Sequence, residues 1–134
     1  MSREIKFRGK RIDNGEWVYG FYMKQYHSAK YGKRIDAIFY SDEYHTHRIP
    51  IIPETVGQCT GLLDKNKIEI YEGDVVKNYY WNHPRIENVV FNDKGYWEPF
   101  IDWESGTNNP WNDYENLEVI DNVYENPELL KEIQ

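Results

Sequence analysis

The chain has 134 residues, a formal net charge of −7, and 40% hydrophobic and 16% aromatic side chains. That length favours one folded domain over residues 1–134, and the aromatic content excludes a mostly disordered chain. The acidic balance argues against general nucleic-acid binding through a basic surface. The charge is unevenly spread, however. Residues 1–35 carry nine basic and three acidic side chains, a net of +6, whereas residues 36–134 carry seven and twenty, a net of −13.

Cys59 is the only cysteine, so neither an intrachain disulfide framework nor a cysteine-rich zinc site can form. No apolar run reaches the ~18–20 residues of a membrane span, and no signal-peptide apolar core opens the sequence. The expectation is a cytoplasmic protein with no membrane partner.

Glu4 to Arg8 alternates in apolarity and reads as a short strand. Asp13-Asn14-Gly15 is a hairpin turn signal, and Trp17, Tyr19 and Phe21 follow at period two. Lys6, Arg8 and Lys10 fall on the face opposite Ile5 and Phe7. Residues 24–54 form a less regular excursion: a polar loop to about residue 36, a short strand at 37–40, and an extended Arg48–Pro53 segment. Asp64-Lys65-Asn66 marks a turn, with Asn66 the candidate for a left-handed conformation. Ile68 and Ile70 share a face, Glu72-Gly73-Asp74 turns again, and Val75-Val76 re-enters a sheet. Val89–Phe91, a turn through Gly95, and Tyr96-Trp97 predict another hairpin. Residues 99–116 form a second irregular excursion, Leu117–Ile120 a late strand, and Pro127–Lys131 a short C-terminal helix capped by Asn126. Many short strands with abundant turns predict an all-β barrel or roll.

Several residue sets invite chemistry. His45 and His47 project to one side of an extended strand and suit a metal with a distant carboxylate, yet that spacing alone is weak beside a plain surface role. His83 falls in a turn-like Trp81–Pro84 stretch. Cys59 has no local histidine to activate it, so a packed thiol is the better reading. Asp64 and Asp74 are explained as turn and strand-start residues without invoking paired-carboxylate catalysis. The glycines fit neither GxxxxGK[ST] nor GxGxxG. No cofactor is indicated. The basic residues Lys6, Arg8, Lys10, Arg11, Lys30, Lys33 and Arg34 can contact phosphates while Trp17 or Tyr19 stack on bases; alternatively they pair with carboxylates within the chain or between subunits.

Three motifs in order add a resemblance: Arg3–Arg8, Gln58–Asn66 and Ile70–Val76, with an ending at Leu117–Ile120 and Asn122–Leu130. Together they resemble the YopX family of small phage and prophage proteins. This chain departs from that family's Asp-Lys-Asn-Gly-Lys-Glu-Ile pattern, because Lys67 follows Asn66 directly. The resemblance implies a mainly β fold with an SH3-like barrel, long loops, oligomeric assembly in a bacterial host cytosol, and no assigned reaction. Gly61, Asp64, Asn66, Tyr71, Gly73 and Asp74 then read as a structural motif. The leading expectation is protein association, with a second copy or with a host or phage protein, using aromatics such as Trp97 or Trp111. Nucleic-acid binding is the alternative and requires Lys6, Arg8 and the 30–34 cluster to converge on one exposed face. An enzyme with an unrecognised site ranks third.

Overall fold

Asn14 and Gly15 turn the chain as their residue types require: Gly15 takes φ +73°, and the Asn14 side chain accepts the Glu16 amide at 2.9 Å. The hairpin so closed joins β1 (Phe7–Lys10) to β2 (Trp17–Ser28). The computed structural model describes residues 5–100, 110–112, 114–126 and 128. Within the span read as one domain, the chain divides into two compact units, residues 1–59 and 60–134.

In the first unit β2 pairs with β3 (Lys33–Ser41), and β3 with β4 (Thr46–Pro50). On the other side β1 pairs with the start of β5 (Gly57–Leu63). The result is an antiparallel order β4-β3-β2-β1-β5. One face holds the core, in which Val18, Ile38 and Ile51 are buried and Phe7, Tyr22, Tyr40, Ile49 and Val56 pack against them. Residues 24–54 are therefore largely strand, not an irregular excursion. The reason is a bulge: the register shifts between Met23 and Tyr26, and Gln25 takes φ +62°. An inserted residue inverts the alternation, so the period-two signal breaks in the middle of a continuous strand.

The second unit takes up the end of β5, beside which lies β6 (Glu69–Tyr71). A three-stranded sheet follows, with β7 (Asp74–Asn78) between β8 (Arg85–Asn88) and β11 (Leu117–Asn122). The hairpin of β9 (Val90–Phe91) and β10 (Trp97–Glu98) turns through Gly95 at φ +93°. Ile70, Val76, Val89, Phe100, Trp111 and Leu117 form the core, flanked by Leu62, Trp81, Trp97, Tyr114 and Val119.

Two expectations are corrected. No sheet among the described residues closes into a barrel. Closure needs the outermost strands to bond to each other, whereas β4 pairs only with β3, and β8 and β11 each pair only with β7. No α-helix occurs among the described residues either; short 3-10 turns at Pro53–Thr55, Pro110–Asn112 and Tyr114–Asn116 are the helical elements present. The helix expected at 127–131 falls, except for Glu128, outside the described residues, as does most of the excursion at 99–116.

Candidate functional site

Directly paired residues of an antiparallel sheet share a face, so the registers of the first unit sort its side chains. Opposite the core lie Arg8 and Lys10 of β1, Trp17, Tyr19, Phe21, Met23 and Tyr26 of β2, Lys33 and Phe39 of β3, and Arg48 of β4. No strand position on that face carries a carboxylate. Tyr19 is 48% exposed, Phe21 68% and Met23 46%, a run of large apolar side chains that folding leaves in water. Tyr26 meets Phe39 edge-on at 5.5 Å, and the Arg48 guanidinium lies 6.0 and 5.9 Å from those two ring centres.

The basic residues singled out from sequence are brought together only in part. Arg8 is buried over the Trp17 ring at 4.6 Å, and Lys6 and Lys10 are half-buried. Arg11 grips Asp13 through two hydrogen bonds of 2.9 and 2.8 Å, which holds the Asp13 carboxyl below its ordinary range. Lys30, Lys33 and Arg34 are exposed around the β2–β3 turn. Arg8 is opposite Tyr19 and Lys33 opposite Ser28. With one residue taken up by the bulge, the two groups stand roughly 27 Å apart along β2. They occupy opposite ends of one strand.

The residues read as a structural motif act as turn clamps. The Asp64 carboxylate is buried and accepts three backbone amides, from Asn66 at 2.8 Å, Ile68 at 3.0 Å and Val119 at 3.0 Å. It thereby ties the turn to β11. Lys67, not Asn66, takes the left-handed conformation, at φ +63°. Asp74 is buried and accepts the Tyr71 amide at 2.7 Å. Gly73 takes φ +93°, and a Cβ there would stand 2.6 Å from Cε2 of Tyr124. Gly61, in β5, also has a positive φ of +84°.

The His47 Nε2–H donates a hydrogen bond to the Asp42 carboxylate at 2.6 Å, and the ring stacks on Tyr40 at 4.6 Å. The bond from His47 and the amides of Tyr44 and His45 hold the Asp42 carboxyl down to about 2. The His45 ring lies 6.4 Å from that of His47, and no third ligand completes a metal cluster among the described residues. Cys59 is buried in β5. Trp111 is buried in the second core and Trp97 packs against it, so the exposed aromatics among the described residues are instead Tyr19, Phe21, Tyr44, Tyr79, Tyr80 and Phe91. Sequence reasoning also passed over Asp36, buried on the core face, where Tyr22 donates to one oxygen at 2.5 Å and the Gln25 amide to the other at 3.1 Å. Burial, reinforced by that bond to Asp36, pushes the Tyr22 hydroxyl up to about 12. An aspartate set inside the apolar run Ile35–Ile38 was the available signal. No described helix is long and apolar enough to cross a membrane.

Fold and surface together define a mainly antiparallel β protein in which the exposed Tyr19 and Phe21 lie with cations on one sheet face. The chain belongs to the YopX family of phage and prophage proteins, matching the YopX protein family over residues 6–131. It is similar in fold to the crystal structure of protein EF1440 from Enterococcus faecalis, with 24% identity over 96% of this chain and 99% of that one and a TM-score of 0.53. No curated protein matches it significantly.

Proposed function

We propose that this protein works by association with further copies of itself, through the open sheet face of the first unit. The observation that carries the reading is the exposed stripe of Tyr19, Phe21 and Met23 on a face with cations and no strand carboxylate. Contiguous apolar surface of this kind marks interaction sites, with aromatic side chains and arginine supplying most of the binding energy. Charge supplies the choice of occupant. Residues 1–59 hold ten basic and seven acidic side chains, a net of +3, whereas residues 60–134 hold six and sixteen, a net of −10. A cationic aromatic face on one copy complements the acidic second unit of another. Such a head-to-tail contact generates a ring or an open chain of subunits.

Sedimentation across a concentration series tests this. The wild type should form a multimer that Phe21→Ser together with Tyr19→Ser converts to a folded monomer. A wild-type monomer at every concentration, or a multimer indifferent to both substitutions, overturns the reading. Aromatic rings interleaved with cations also suit a single-stranded polyanion. Binding of an oligonucleotide that weakens steeply with salt and is lost on Arg48→Glu, with no self-association, would decide for nucleic acid instead.

A further inference from the structure

A cavity of about 310 Å³ opens in the first unit beside the bulge of β2, and its chemistry is set by three kinds of side chain. Ile12, Ile51 and Pro53 make its apolar wall. Asp36, 5% exposed, lines it as a carboxylate. Arg34, exposed, supplies a cation at its edge. The volume is at the lower end of the ~300–1,000 Å³ range of small-molecule sites, which are mostly apolar with a few placed polar groups.

Asp36 has hydrogen-bonding capacity left over. A carboxylate offers about four lone-pair sites, and the Tyr22 hydroxyl and Gln25 amide occupy one on each oxygen. The Arg34 guanidinium gives one N–H to the Gln25 carbonyl at 3.3 Å and keeps further donors for an anion. A buried carboxyl group, an adjacent guanidinium and an apolar wall in one small cavity match a compact zwitterion with an apolar side chain.

We propose that this cavity is a binding site for a free α-amino acid with an apolar side chain. The ammonium donates to Asp36, the carboxylate is held by Arg34, and the side chain lies against Ile12, Ile51 and Pro53. This proposal is independent of self-association, because Asp36 and Arg34 share the core side of the sheet, opposite the face of Phe21.

Amide chemical shifts of the full chain, titrated with L-leucine and with L-phenylalanine, give the test. Saturable shifts are expected at residues 34–36 and 51. Arg34→Ala, a surface change, should weaken binding about tenfold, as expected for loss of a charge-assisted hydrogen bond. 3-Phenylpropionate, which lacks the ammonium, and phenethylamine, which lacks the carboxylate, should each bind at least tenfold more weakly than phenylalanine. The ligand analogues keep the test decisive even where a variant at Asp36 fails to fold. Absence of saturable shifts with both amino acids, equal binding of the analogues, or binding undiminished in Arg34→Ala overturns the proposal.

Discussion

Particular aromatic side chains and buried carboxylates of the two units are put to contrasting uses. In the second unit Trp111 and Phe100 are core residues, and Asp64 and Asp74 are consumed in pinning backbone turns. In the first, Tyr19 and Phe21 remain in water, and Asp36 lines a cavity. Residues of the same type are thus structural at one position and available at another, and burial and partners decide which. Composition alone does not separate the two uses.

The sharpest test of that contrast removes a large side chain from each unit. Trp111→Ala should cost about 3–5 kcal/mol in chemical denaturation, through lost burial and the cavity left behind. Phe21→Ser, by comparison, should leave the stability of the isolated chain within about 0.5 kcal/mol. A large loss at Phe21 would show that its ring is part of a core after all. Next in size, Asp64→Ala leaves three backbone amides without their acceptor and should cost about 3 kcal/mol, with Asp64→Asn recovering part of it. Gly73→Ala should cost about 2 kcal/mol, since it adds a Cβ against Tyr124 to a positive φ. A double-mutant cycle with Tyr124→Ala separates the steric part from the backbone part. One further stability change has the opposite sign. Lys67→Gly relieves a left-handed non-glycine residue at some cost in unfolded-chain entropy, for a net gain of about 0.5 kcal/mol.

A pH titration sharpens the same comparison from the first unit. Asp42 has its folded-state value lowered from 3.8 to about 2, first by the bond from His47. Its contribution to stability is therefore present above 3.8 and is lost as pH falls through about 2. His47→Ala should return the Asp42 carboxyl carbon titration towards the ordinary range; an unchanged titration would assign the shift to the Tyr44 and His45 amides alone.

Local turn chemistry made much of this fold legible. Asn14-Gly15, the Asp64 turn, Gly73-Asp74 and the Gly95 hairpin each carry a residue whose conformational preference or side-chain acceptor fixes the turn. Strand continuity through residues 24–36 was hidden, because the Gln25 bulge inverts the alternation that period-two reading depends on. Barrel closure was misread for a different reason. An inventory of strands says nothing about whether the outermost ones bond, which is a property of register and twist. The candidate face was half legible: Trp17, Tyr19 and Phe21 were seen at period two, but not which side of the sheet would stay open. The cavity was not legible, since it joins Ile12, Asp36 and Ile51 across three segments.

The contact of Tyr124 with Gly73 bears on the order in which the protein is made. The first unit has all of its residues once position 59 is translated, whereas the second needs β11 and then Tyr124 before its turn at Gly73 is covered. At ordinary elongation rates that interval is on the order of 3–13 s. During it the sheet of the first unit can form with Tyr19 and Phe21 exposed while the acidic residues of the second unit are still being added. Under the proposed self-association, nascent chains on one message would carry the aromatic face first and only later gain the surface that receives it.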